Sequence, residues 1–237
     1  MQTLKAIAVM LHYPDETLQR HAGELVDMVG AERRLSSVTR RQLIDLIRHW
    51  QSEDLLDLQA AYVGLFDRSR ALSLHLFEHV HGESRDRGQA MVDLQDIYRK
   101  QGLDIAANEL PDYVPLFLEF CSRLPEQDAR EWLQEVAHLL LLLHGRLQQR
   151  ESSYAALFQA LLQALLELGE VAEPDADFRR QLSEEERDDT PEALDRVWAE
   201  EPVIFGPTDG CGGARTNTGQ AVPVEWTDRR KTVTEES

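Results

Sequence analysis

Two histidines and a glutamate stand at a spacing that metal chemistry uses. His75-Leu-Phe-Glu78-His79 formally matches the HxxEH pattern of inverted zinc peptidases. On a helix, residues four apart share a face, so both imidazoles would reach one metal. Two imidazoles do not complete a site. A third ligand must come from elsewhere, because His81 and Glu83 lie beyond the expected helix end. The plainer reading is a cluster of helix-end histidines with one buried, hydrogen-bonded ring. A metal-dependent hydrolase using His75, Glu78 and His79 is therefore carried only as the alternative. Gly82-Glu83-Ser84 lacks the GxSxG frame of a serine nucleophile, and Ser84 reads instead as a helix N-cap. Walker A, GxGxxG and CxxC patterns are absent. Gly210, Gly212 and Gly213 have no adjoining strand and form no phosphate cradle.

The second constellation is Glu109-Leu-Pro-Asp112-Tyr113. Acidic residues flanking a helix-opening proline stabilise the helix dipole, which explains them without any function. With Asp67, Glu78, Glu83, Asp86 and Glu119 they also concentrate carboxylates near apolar residues, as a groove for a basic amphipathic peptide would. The run Glu184 to Asp189 reads as a charged linker, and Thr190-Pro191 as a helix start.

Helical periodicity governs the elements that must position these groups. Leu4, Ile7, Ala8 and Leu11 mark a first helix stopped by Pro14. Asp15 is expected to cap a second, running to about Val29, and Thr39 a third carrying Leu43, Ile44 and Ile47. Leu55 to Phe66 form a fourth. Leu72, Leu76, Phe77 and Val80 suggest a fifth, and Ser84 to Tyr98 a sixth that Gly102 stops. Pro111 is expected to open the helix through Cys121. Trp132 to Leu147 and Leu157 to Leu168 are the strongest periodic segments. The Leu139–Leu143 run makes the first of these apolar nearly all round, hence the expected central helix. A last helix spans about Pro191 to Glu200. Strand signals are nearly absent.

The fold class is thus all-α: a single-domain helical bundle over residues 1–200, with a disordered, Gly/Pro-containing tail over 201–237. The net charge of −18 repels nucleic acid and anionic membranes and attracts cationic peptides. Cys121 and Cys211 form no disulfide framework, and no apolar run approaches a membrane span or a secretory signal, so a cytoplasmic location is expected.

Several stretches then resemble one family. Leu65-Phe-Asp-Arg-Ser-Arg70 and the long run Leu76 to Leu94 are similar to the NarJ proteins, dedicated assembly chaperones of membrane-bound respiratory nitrate reductase. Gly102-Leu103, Glu109 to Tyr113, Leu116 to Glu119, Arg146 to Glu151, Arg187 to Thr190 and Ala193 to Trp198 continue the likeness over about residues 4 to 205. The resemblance implies a TorD- and DmsD-like helical bundle that is not an enzyme and has no cofactor of its own. It implies binding to the apo catalytic (alpha) subunit of nitrate reductase, including its N-terminal peptide. The client would be held ready for its molybdenum bis-guanine-dinucleotide cofactor, possible contacts extending to cofactor-biosynthesis proteins, before docking at the membrane. The chaperone is absent from the finished enzyme.

In such a helix-in-groove mode, Tyr62, Phe66, Phe77, Tyr113 and Phe117 would supply apolar pockets. Asp67, Glu78, Glu83, Asp86, Glu109 and Asp112 would supply charge partners, and Glu109 or His79 a titratable grip. The alternative for each aromatic is core packing, and for each carboxylate a cap or a structural ion pair. Two positions depart from the resemblance. Tyr113 stands where the wider group often has a histidine, and His75 where NarJ-like chains would carry an aliphatic residue.

Overall fold

A computed structural model describes residues 2–81, 86–105, 109–166, 176–185 and 187–198. Local chemistry sets most helix ends. α1 (Gln2–Leu11) stops ahead of Pro14. Asp15 accepts the Leu18 N–H at 2.8 Å and caps α2 (Glu16–Arg20). The helix expected to continue to Val29 breaks at His21, and α3 (Ala22–Ala31) starts afresh. Ser36, not Thr39, caps α4 (Ser37–Ser52): its Oγ accepts the Thr39 N–H at 3.1 Å, and Thr39 is buried a turn inside.

Asp54 caps α5 (Leu55–Tyr62), which widens into a π-helical turn at Val63–Asp67. A 3-10 turn, Arg70–Leu72, follows. The helix expected from Leu72 begins only at Leu76, as α6 (Leu76–His81), and Val80 is 68% exposed rather than inward. α7 (Asp86–Lys100) ends at Gly102, whose φ of +74° and the Leu103 N–H to Tyr98 carbonyl bond close the helix as a glycine stop should. The Ser84 cap and the tail over 201–237 lie outside the described residues.

α8 (Val114–Arg123) carries Pro115 in its first turn, so Pro111 precedes the helix instead of opening it. The Pro111 carbonyl accepts the buried Tyr98 hydroxyl at 2.9 Å. The segment expected as one helix from Trp132 divides at Val136 into α9 (Glu126–Glu135) and α10 (Ala137–Gln149). That break turns the Ala129–Leu133 face of α9 onto α8 while α10 follows α11 (Ala155–Leu166). α12 (Ala176–Glu184) and α13 (Pro191–Trp198) complete the described chain. α12 occupies residues not expected to be helical. Thr190 Oγ1 accepts the Ala193 N–H at 3.2 Å and caps α13 as expected.

α1 holds the centre. Leu4, Ala6, Ile7, Ala8, Met10 and Leu11 are all buried, and α1 packs against α8, α11 and α3. Seven of the ten α8 residues, from Val114 to Cys121, face inward beside it. Each large aliphatic or aromatic side chain so buried contributes about 1.5–3 kcal/mol. α10, expected as the central helix, instead lies to one side. Its Leu141 and Leu142 are only half-buried, because α11 covers one face and the slight α12 another. Among the described residues there is no strand, only one isolated antiparallel bridge between His75 and Tyr113.

Candidate functional site

That bridge is where the site is built. The Leu76 N–H donates to the Asp112 carbonyl at 3.0 Å, and the Val114 N–H to the Leu74 carbonyl at 2.8 Å. Two loops remote in sequence are thereby fixed side by side, ahead of α6 and α8. Asp112 is fully buried. One of its oxygens accepts the Phe77 N–H at 3.1 Å, the other the His75 Nδ1–H at 3.1 Å. Arg87 lies 3.9 Å from Asp112 and 3.1 Å from Glu78, linking the two carboxylates.

Beside this anchor lies an aromatic cluster, the candidate cleft. The Tyr62 hydroxyl donates to the Leu11 carbonyl at 2.8 Å, so the Tyr113 hydroxyl, 3.0 Å away, must donate to Tyr62. His12 stands edge-on to Tyr113 at 5.6 Å, Tyr13 edge-on to Tyr62 at 5.5 Å, and His75 tilts against Tyr113 at 5.5 Å. Such edge contacts contribute about 0.5–1.5 kcal/mol each and fix the ring orientations. Val9, Tyr13 and Leu110 are exposed.

Carboxylates act on these rings. Burial lowers the pKa of His12, and Glu109, Glu119 and Asp15 act against that shift, which places three negative charges around its ring. Burial first, then Tyr113 itself, raises the Tyr62 phenol far above its ordinary value, with Asp67 adding to the effect.

The expected site residues divide. Tyr62, Phe66 and Phe117 are buried: Tyr62 and Phe66 pack with Tyr154 beneath the cluster, whereas Phe117 packs edge-on against Trp132. Asp112 is an internal anchor. Phe77, Glu78, His79 and Tyr113 are half-buried, while Asp67, Asp86 and Glu109 are exposed. Glu83 lies outside the described residues. Burial disfavours the charged form of Glu78, yet the Ser73 hydroxyl, Arg87 and His75 hold its pKa below the ordinary carboxylate value. His12, Tyr13 and Asp15 were not among the expected residues. Their only signal is a polar, aromatic quartet, His12-Tyr13-Pro14-Asp15, directly after a helix with six of its ten residues buried.

The HxxEH reading fails on geometry. His75 precedes α6, and its ring turns to Asp112. His79 Nε2–H donates to the Ser73 carbonyl at 2.8 Å. The two imidazoles serve different partners and do not converge. Among the described residues no three His, Cys, Asp or Glu side chains are grouped to hold a metal.

Comparison with known proteins decides the family. Residues 32–160 match the family described as nitrate reductase delta subunit. The chain is 46% identical to the nitrate reductase molybdenum cofactor assembly chaperone NarJ of Escherichia coli, over 93% of this chain and 92% of that protein. The chain belongs to the NarJ family. It is also 47% identical to the probable assembly chaperone NarW of Escherichia coli, over 86% of this chain and 84% of that one. A solved structure, a putative redox enzyme maturation protein from Archaeoglobus fulgidus, aligns with a TM-score of 0.48 at 24% identity, over 69% of this chain and 91% of that one.

The NarJ family is one of assembly chaperones, not catalysts. Its matched region runs from the end of α3 into α11 and spans the Asp112 anchor, Tyr62 and Tyr113. His12 and Tyr13 reach the cleft from α1, which lies ahead of that region. No helix among the described residues of this NarJ-family chain is long and apolar enough to cross a membrane.

Proposed function

We propose that this chain escorts the apo catalytic (alpha) subunit of respiratory nitrate reductase during assembly. The cleft of His12, Tyr13 and Tyr113, rimmed by Asp15, Asp67, Glu109 and Glu119, receives the client's N-terminal peptide as a basic amphipathic helix. The helical domain expected over residues 1–200 keeps the client competent for insertion of the molybdenum bis-guanine-dinucleotide cofactor, then leaves before the enzyme docks at the membrane. The chaperone acts in the cytoplasm, brings no cofactor of its own, and meets cofactor-biosynthesis proteins through the client.

The observation that carries this reading is the juxtaposition of the half-buried His12 and Tyr113 rings and the exposed Tyr13 with the carboxylates of Asp15, Asp67, Glu109 and Glu119 in a net acidic chain. Aromatic anchors supply area at low entropic cost, while surrounding charge speeds encounter and fixes orientation. The test is calorimetric titration with a synthetic peptide of about fifteen residues copying the client N-terminus, a usual length for a helix-in-groove ligand. A scrambled peptide of equal charge is the control. Saturable binding of the native peptide alone, weakened by Tyr113→Ala, is expected. Equal binding of both peptides would reduce the rim to nonspecific attraction. An unchanged affinity in Tyr113→Ala would remove the cleft as the site.

A further inference from the structure

Residues 176–185 and 187–189 lie as a strap over one side of α10. Positions 138, 142, 145 and 149 recur at helical spacing along that side. Phe178 meets the His138 ring edge-on at 5.7 Å. The Leu182 side chain fills the space that a Cβ would take at Gly145. The Gln149 amide donates to the Leu182 carbonyl.

Beyond α12 the contacts become ionic. Glu185 pairs with Arg146, its Oε2 lying 2.9 Å from Nε. Asp188 accepts from Arg150 at 2.7 Å, from the Ser69 hydroxyl at 2.8 Å and from the Ala71 N–H at 2.8 Å. Asp189 stands 3.2 Å from Arg150 Nε. The Arg150 side chain is 4% exposed and Ser69 is buried. A buried cation, a buried hydroxyl and a main-chain N–H thus converge on one carboxylate, in a chain whose net charge is −18.

We propose that this face of α10 is a docking surface for an amphipathic acidic segment of a partner protein, and that the strap is its internal stand-in. The strap displays the chemistry the surface accepts. Two apolar residues stand four apart, a carboxylate follows three residues later, and another three after that: Phe178, Leu182, Glu185 and Asp188.

The cradle cannot stand empty at low cost, because a buried guanidinium without its carboxylate is strongly destabilising. Exchanging one carboxylate for another costs little. The strap itself is shallowly seated, since Phe178 and Leu182 are only half-buried and the Glu185 and Asp188 side chains are 35% and 31% exposed. Tethering gives the strap a high effective concentration, so a competing segment succeeds when its own protein is already held elsewhere on the chain. The surface shares no residue with the aromatic cleft, and the inference does not depend on which client that cleft takes.

The test uses the full chain and a fluorescent synthetic peptide copying residues 176–190. Wild-type chain, its surface occupied, binds the peptide weakly. The E185A/D188A variant binds it about ten-fold more tightly while keeping a cooperative thermal transition. Adding R146A removes the gain. Three results would overturn the proposal: a folded double variant that binds no better than wild type, a gain that survives R146A, or a double variant without a cooperative transition, which would make the strap part of the core.

Discussion

Asp112 caps α6 from far along the chain: Phe77, whose N–H it accepts at 3.1 Å, lies thirty-five residues earlier. The residue preceding α6 is His75, which has no side-chain oxygen to serve as a cap, and it is itself held by the same carboxylate. One buried side chain therefore sets the start of a helix, the ring of His75 and the backbone beside Tyr113.

Replacing Asp112 by alanine leaves the Phe77 N–H without its acceptor and His75 and Arg87 without their shared carboxylate. A loss of about 3 kcal/mol in urea unfolding is expected, with a smaller loss for Asp112→Asn, which keeps an acceptor. Equal stability of the alanine variant and wild type would mean that water or a neighbouring group replaces the carboxylate.

Three histidines resist protonation. Burial lowers the pKa of His12 and His79 against the pull of nearby carboxylates and, for His79, of the Ser73 carbonyl; burial alone lowers that of His144. In the unfolded chain each binds a proton as the pH falls through about 6.5, while the folded chain binds it only at lower pH. Their contribution is complete above that value and declines below it. Urea midpoints should fall between pH 7.5 and 5, and less steeply in His144→Gln. A midpoint that rises as pH falls would refute the account.

Asp189 acts in the same direction over a more acidic range. The Arg187 guanidinium first, and Arg150 behind it, hold its pKa down at about 2. What it contributes to holding the strap is present above the ordinary carboxylate value of about 4 and is lost as the pH falls from there toward 2. Hydrogen exchange over residues 176–189 should accelerate across that acid window ahead of α1. Simultaneous exposure of both would show that the strap has no separate transition.

Gly145→Ala sets two effects against each other. Alanine favours the α10 helix by about 1 kcal/mol over glycine, but its Cβ takes the place of the Leu182 side chain. Global stability should change little, while protease sensitivity over residues 176–185 rises. Adding Leu182→Ala, which clears the overlap, should lower that sensitivity again. A protected strap in Gly145→Ala would show that Leu182 simply turns aside.

At the cleft, Glu109→Gln and Glu119→Gln should each weaken binding of the client peptide and flatten its dependence on salt. Both side chains lie at or near the surface, so the thermal transition should stay in place. Unaltered salt dependence in the double variant would assign the attraction to net charge rather than to this rim.

The all-helical class, most helix positions and the NarJ resemblance were legible because they depend on local spacing. Apolar residues repeating at helical period, Asp15 as a cap and Gly102 as a stop act within one turn of themselves. The long stretch from Leu76 to Leu94 carried the family for the same reason: it is continuous in sequence.

What only tertiary structure decided involves pairs remote in the chain. Two histidines four apart looked able to share a metal, but Asp112 and the Ser73 carbonyl divided them. Tyr62, Phe66 and Phe117 are aromatic whether buried or exposed, and packing against Tyr154 for the first two and Trp132 for the third put all three inside. His12 and Tyr13 became cleft residues only because Leu11 accepts the Tyr62 hydroxyl, fifty-one residues away. The run at 184–189 read as a solvated linker because a sequence shows its charges but not their partners, and Arg146 and Arg150 lie a helix away. Periodicity fixes which face of a helix is apolar; which face of another element it meets depends on closure of the whole bundle.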